Sequence, residues 1–313
     1  MHTPFTAPRR VRAPGTIGLI APSGCISDPP ILDNGISRLE ARGWRVKQGA
    51  NIRKAWKYFS ATDAERVAEL HEMAADPEVD VVMAVRGGYG FSRILDRIDY
   101  AALAASGKTF VGFSDFTALN LALLAKTGYQ SVSGPMARVD FGDGDVEPLM
   151  EAHFWPLLTD PSHDTPEIPC EHPHGSRRIE GIAWGTNLTL IANMAGTPFM
   201  PVFDHGILFL EEIGEEPYHV DRCLYQLKQA GVLDRQAAII LGTFNGYDRN
   251  NDAAKRFTME DVTESLRELV TCPVLTGYPF GHAAEKICVP VGGAAALSIS
   301  ASGYQLQFSS YNR

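Results

Sequence analysis

The stretch Thr109-Phe-Val-Gly-Phe-Ser-Asp-Phe-Thr-Ala-Leu-Asn120 constrains the fold more than any other part of the chain. A short β-rich apolar run turns at Gly112 and passes into good helix formers from Leu119 to Ala125. A strand that turns directly into a helix is the repeating unit of an α/β sheet. The turn holds Ser114, whose hydroxyl such a junction pushes above the sheet edge, with the amide of Asp115 at the positive end of the new helix. A nucleophilic serine needs that setting. The window departs from Gly-x-Ser-x-Gly because Phe116 stands at the second glycine, and taken alone Ser114 reads first as a helix N-cap.

The flanking chain repeats the strand-helix alternation. Thr16 to Ala21 has a buried-strand pattern ending in Pro22-Ser-Gly24, and Ile31, Leu32, Ile36 and Leu39 then recur at helical spacing up to Gly43. Strands are expected at Trp44 to Gln48, Val79 to Val85 and Gln130 to Ser133, with helices at Asp63 to Ala75 and near Phe91 to Ile98. A chain of 313 residues exceeds the usual single core, so two domains are expected. The first, 1–160, reads as a doubly wound, mostly parallel sheet domain. Residues 161–178, rich in Pro, His and acids and without apolar period, read as a linker that contains His172 and His174. The second domain, 179–313, reads as a smaller α/β unit with mixed strands. Its helices are expected at Asn187 to Ala195, His219 to Ala230 and Met259 to Val270, and its short strands include Gly206 to Leu210, Ala237 to Leu241 and Ile287 to Pro290.

A formal charge of -9 argues against nucleic acid or an anionic membrane as the main partner and leaves a small or peptidic ligand. Five cysteines are scattered with no Cys-x-x-Cys pair, which indicates neither a disulfide framework nor a zinc site and fits reduced thiols in a cytoplasm. No apolar run reaches the roughly 18 residues of a membrane span. Ser106-Gly-Lys-Thr109 has the tail of a P-loop, but Ala102 replaces the leading glycine and a strand follows where one should precede. Asp248-x-Asn250-x-Asp252 starts like a calcium loop, yet Ala253 and Met259 stand where glycine and glutamate are required. No histidine pair has helical metal spacing, so no metal site is expected.

Three other features carry chemistry. Arg86-Gly-Gly-Tyr-Gly90 lies between a strand and a helical segment, where backbone amides can face an anion, although a tight turn explains adjacent glycines equally well. Glu211 is the first polar side chain after the apolar strand Ile207 to Leu210; Glu212, Glu215 and Glu216 beside it read as an exposed acidic turn. His282 lies on the Gly/Pro-rich loop Gly277-Tyr-Pro-Phe-Gly-His282, where a loop histidine is ordinarily polar surface. The order Ser114, Glu211, His282 is nonetheless a legitimate nucleophile, acid and base arrangement. A cysteine enzyme built on Cys25 is the weaker alternative.

Taken together, these residues resemble the LD-carboxypeptidase family of serine peptidases, the muramoyltetrapeptide carboxypeptidases, which are related to the microcin C immunity peptidases. The resemblance runs from about Thr16 to Phe308. It rests on Ile20-Ala-Pro-Ser-Gly24, Arg86-Gly-Gly-Tyr-Gly90, Gly112-Phe-Ser-Asp-Phe-Thr117, Gly185-Thr-Asn-Leu188, Leu208-Phe-Leu-Glu-Glu212, Tyr218-His-Val-Asp-Arg222 and Gly281-His282 ahead of Val289-Pro-Val-Gly292. It implies Ser114 as nucleophile, His282 as base, Glu211 as the orienting acid, an active site at the domain interface, no cofactor and a homodimer. The implied reaction releases the terminal D-alanine of murein tetrapeptides; an aminoacyl-nucleotide substrate and a catalytically silent peptide-binding protein are the alternatives. The amides of Gly88 and Asp115 are the candidates for the oxyanion, Arg86 the candidate for the substrate's terminal carboxylate with Arg222 behind it, and Trp184 a candidate apolar wall whose ordinary reading is a buried core side chain. Two positions depart from the family pattern: Thr186 replaces a frequent glycine, and Ser133 a frequent histidine before Gly-Pro.

Overall fold

The computed structural model describes residues 5–171 and 175–312. Its first half runs β1 (Thr16–Ile20), α1 (Pro29–Ala41), β2 (Arg45–Gln48), α2 (Asp63–Ala75), β3 (Val81–Ala84), α3 (Tyr100–Ser106), β4 (Thr109–Val111), α4 (Thr117–Thr127), β5 (Ser131–Ser133) and α5 (Pro148–Thr159). Every residue of β1, β3, β4 and β5 is buried, as a parallel sheet covered by helices on both faces requires. Local chemistry sets the helix limits. Thr62 and Glu65 form a reciprocal capping box that starts α2, and Gly107 and Gly128 stop α3 and α4 in the left-handed conformation, at φ 72° and 68°. The segment Phe91 to Ile98, expected to be helical, is instead two 3-10 turns, Phe91–Arg93 and Leu95–Arg97. Ile94 between them leaves helical geometry at φ -121°, and no side chain caps either turn.

The parallel order β2-β1-β3-β4-β5 places the reversal of strand order between β1 and β3. The loops leaving the carboxyl ends of those two strands part there, which is where sites in open α/β sheets collect.

The second half contains β6 (Ser162–Asp164), β7 (Ile168–Pro169), β8 (Arg177–Asn187), α6 (Leu188–Met194), β9 (Gly206–Ile213), α7 (Pro217–Gln229), β10 (Gln236–Asn245), α8 (Asp252–Arg256), α9 (Met259–Leu269), β11 (Val274–Leu275), β12 (Val289–Val291), β13 (Ala294–Ile299) and β14 (Gly303–Ser309). Its sheet runs β11-β10-β9-β8-β13-β14-β6, with β7 also on β14; β8 to β11 are parallel neighbours and the remainder antiparallel. Part of the expected linker is therefore sheet: β6 sets His163 opposite Phe308, and β7 sets Ile168 opposite Tyr304. Strands of three and two residues are too short to leave an apolar period. His172 and His174 lie outside the described residues.

One strand crosses back. β12 leaves the second half and pairs antiparallel with β5, Val289 opposite Ser133 and Val291 opposite Ser131. Because β12 runs against β5, its entering end lies at the carboxyl edge of the first sheet, and the loop before it, with His282, is delivered to the edge where β4 leads into Ser114.

The halves also meet at His153 on α5 and His163 on β6, whose Nδ1 and Nε2 atoms are in hydrogen-bond contact. Burial, with His163 beside it, holds the His153 imidazole down to about 4 from an ordinary 6.5. A group depressed on folding contributes stability that is complete above its unfolded value and is lost as pH falls through the folded one. Thermal melts should therefore fall between pH 6.5 and about 4, and His153→Gln should flatten that decline; an unchanged slope would remove the pair as its source.

Candidate active site

Ser114 occupies the elbow in a strained backbone. Phe113 is extended at φ -135°, Ser114 turns to φ 60°, and a 3-10 turn over Ser114–Phe116 leads into α4. A non-glycine residue held left-handed costs roughly 1–2 kcal/mol, so the surrounding packing must impose it. Gly87 is part of that packing: a Cβ there would lie 2.8 Å from both Cβ and Oγ of Ser114. The glycine loop can approach the serine only without a side chain.

Asp115 binds the elbow to its neighbours. Its carboxylate is 1 % exposed, and Oδ2 accepts hydrogen bonds from Ser23 Oγ at 2.6 Å and from the Phe91 amide at 2.9 Å. One side chain thus ties together the loops that follow β1, β3 and β4. Burial raises its pKa, opposed by the bonds from Ser23, Phe91 and Gly90. Sequence reasoning used only the Asp115 amide; the available signal was an acid beginning an otherwise apolar helix. The Gly88 and Asp115 amides have no backbone acceptor outside their own turns among the described residues.

His282 and Glu211 form the second part of the site. Glu211 is 1 % exposed near the carboxyl end of β9, and its Oε2 lies 2.9 Å from His282 Nδ1. An ionised carboxylate only accepts, so Nδ1 carries the proton and Nε2 is left free to act as a base. The loop is fixed on several sides. Asn245 Nδ2 donates to the His282 carbonyl at 2.9 Å, and Gly281, at φ 139°, lets the backbone lie where a Cβ would be 3.2 Å from Glu211 Cβ. Lys286 donates to the Ala283 carbonyl, forms a buried 2.7 Å ion pair with Asp140 and lies 4.7 Å over the Phe113 ring. The Phe113 ring in turn meets the His282 imidazole edge-on, 5.0 Å between centroids. That contact sets the histidine beside the residue preceding Ser114. No hydrogen bond joins Ser114 to His282 among the described residues; such bonds are commonly looser in free enzymes than in substrate complexes. A cleft of about 560 Å³ opens beside His282, lined also by Asp143, Asp145, Glu147, Ile213 and Lys286.

Two expectations are corrected. Glu212 is not an exposed turn residue but 5 % exposed, and its carboxylate accepts from Asn187 Nδ2, the Thr189 amide and the Ile213 amide at 3.0, 2.8 and 2.9 Å. Trp184 is not a ligand wall: it is 1 % exposed, its indole N–H donates to Gln236 Oε1 at 2.9 Å, and its ring packs on Phe203. A large apolar side chain beside Leu208 in the sheet is drawn into the core. Arg222 on α7 makes no ion pair among the described residues. Arg86 is half-buried, donates from Nη1 to the Cys25 carbonyl at 2.8 Å, and has no carboxylate partner among the described residues. Thr186 and Ser133, the two departures from the family pattern, touch each other: Ser133 Oγ donates to Thr186 Oγ1 at 3.1 Å, and Thr186 Oγ1 is 2.8 Å from Thr117 Oγ1. These hydroxyls join the second sheet to the start of α4.

Residues 17–134 match the family model of the LD-carboxypeptidase N-terminal domain, and residues 180–297 that of the C-terminal domain. The chain belongs to the LD-carboxypeptidase family. A relative in Bacillus subtilis, a probable murein peptide carboxypeptidase, is 36% identical over 295 residues, covering 93% of this chain and 91% of its own. The crystal structure of a muramoyltetrapeptide carboxypeptidase from Oxalobacter formigenes superposes with a TM-score of 0.88 at 41% identity, over 95% of this chain and all of that one. The microcin C7 self-immunity protein MccF of Escherichia coli is 29% identical, covering 84% of each chain. As a member of the LD-carboxypeptidase family the protein is an enzyme, a serine-type peptidase.

Gly87→Ala should lower peptide hydrolysis by about 100-fold or more, since a 1 Å displacement at a reacting group can cost that much. Steady-state rates on a variant of unchanged melting temperature check this; near-normal turnover would mean the loop does not position the serine.

Proposed function

We propose that this peptidase hydrolyses the bond between the L-centre of meso-diaminopimelate and the terminal D-alanine of murein tetrapeptides, with Ser114 as nucleophile. The observation that carries the reading is the 2.9 Å pair between buried Glu211 and His282, whose imidazole packs against Phe113. His282 Nε2 takes the Ser114 proton as Oγ attacks the carbonyl, then returns it to the departing D-alanine amine; water repeats the cycle on the acyl-enzyme. Glu211 keeps the imidazole in the required tautomer and stabilises the imidazolium. The amides of Gly88 and Asp115 receive the oxyanion, each such donor being worth ~3 kcal/mol of barrier. Arg86, with no internal carboxylate partner among the described residues, takes the substrate's free carboxylate.

The names of the relatives in Bacillus subtilis and Oxalobacter formigenes support a murein peptide as substrate. Five unpaired cysteines suit the reducing cytoplasm in which recycled wall fragments are met. The likeness to MccF, of which a structure in complex with glutamyl sulfamoyl guanosine is known, keeps an aminoacyl-nucleotide substrate as the second reading; turnover of an aminoacyl-sulfamoyl adenylate in preference to murein tetrapeptide would favour it.

Ser114→Ala should reduce D-alanine release at least ~10⁴-fold with the fold intact. Retained turnover in the purified variant rules out the nucleophile. Glu211→Gln should lose roughly 10³- to 10⁴-fold in kcat with little change in melting temperature. Glu212→Gln should instead lower the melting temperature, because Glu212 holds Asn187 and two amides, and should cost far less rate. The opposite ranking of rates would assign the wrong acid.

A further inference from the structure

We infer that Tyr58 is a second donor for the substrate's free carboxylate, and that Tyr58 and Arg86 together let this site recognise a chain terminus. This rests on the reading above and adds what restricts the enzyme to the last residue of a peptide. Tyr58 was not singled out by any sequence motif. The residue is 50% exposed, yet its hydroxyl is turned over Gly88: a Cβ on Gly88 would lie 2.6 Å from Tyr58 Oη and 3.2 Å from Arg86 Nη2. The two donors therefore converge on one glycine, whose φ of 106° also disfavours any side chain there. Neither Tyr58 Oη nor Arg86 Nη2 has an acceptor in the chain among the described residues.

Both are held in advance through Cys25. The Cys25 amide donates to the Tyr58 carbonyl at 3.0 Å, and the Cys25 carbonyl accepts from Arg86 Nη1 at 2.8 Å. The turn carrying Tyr58 is closed by paired bonds between Trp56 and Phe59, at 2.8 and 3.0 Å. A phenol and a guanidinium fixed side by side, with open donors facing one point, make a cradle for two carboxylate oxygens.

The spacing gives the register. Gly87 abuts Ser114, with its Cβ position 2.8 Å from Oγ, and Gly88, the next residue, abuts the two donors. Successive Cα atoms are about 3.8 Å apart. In a peptide whose penultimate carbonyl faces Ser114, the terminal carboxylate lies one residue further along, the same offset. A longer peptide would present a neutral amide to the donors and run its backbone into Tyr58.

Binding to the Ser114→Ala protein measures this without turnover, using murein tetrapeptide and its C-terminal amide in titration calorimetry. The free acid should bind more tightly than the amide. Adding Tyr58→Phe should weaken binding of the acid by about tenfold, the effect of one hydrogen bond to a charged group, and leave the amide unchanged. In the otherwise native enzyme Tyr58→Phe should raise KM with kcat within about twofold, because the contact is made equally in ground and transition states. Equal weakening of both ligands, or of neither, overturns the assignment of Tyr58. If the native enzyme releases no D-alanine while the Ser114→Ala protein still separates acid from amide through Tyr58, the reaction is wrong and the carboxylate cradle stands.

Discussion

The short antiparallel pairing of Val289–Val291 with Ser131–Ser133 is the constraint on which the site depends. Without it the elbow of the first sheet and the acid strand of the second would be carried by separately built units. With it, the loop bearing His282 must end at the carboxyl edge of the first sheet. Lys286 and Asp140 close the join with an ion pair that is nearly inaccessible to water, at 1% and 4% side-chain exposure. Breaking such a pair on one side leaves a buried charge, so it resists being opened even where its net contribution is small.

Two adjacent acids show how strand geometry divides labour. Successive side chains of β9 point to opposite faces. Glu211 turns toward His282, and Glu212 turns toward Asn187 and Thr189 at the start of α6. Burial pushes the Glu212 pKa up and its hydrogen bonds from Thr189, Ile213 and Asn187 oppose this, so its task is to anchor β9 to α6. A site that needs one carboxylate in a fixed orientation is supported by a second that fixes the strand. Asp115 does the equivalent for the elbow, joining Ser23 and Phe91 below the serine.

What could be read from the sequence was local. Continuous apolar runs gave the buried parallel strands, and the change from apolar strand to helix formers around Gly112 gave the elbow of Ser114. Glu211 was legible as the first polar residue after Leu210. What depended on distant partners was not. Glu212 looked exposed because its partners, Asn187 at the end of β8 and Thr189 on α6, lie 25 and 23 positions away along the chain. Trp184 could be read either as a ligand wall or as a core side chain, because nothing local announces its bond to Gln236. The strands β6 and β7 were too short for a period, and the crossing of β12 is a fact of topology that three residues cannot encode. Tyr58 carried no motif; only the close approach of its hydroxyl to Gly88 marks it.

The central claim is that Ser114, His282 and Glu211 act as one unit across two sheets. Labelling with a fluorophosphonate, followed by peptide mapping in a mass spectrometer, tests it most directly. The expected result is a single adduct on Ser114 whose formation slows by about 10³-fold in His282→Ala, since loss of the base removes the activation of the hydroxyl. An adduct on a different residue, or labelling of Ser114 at an undiminished rate without His282, would contradict the account.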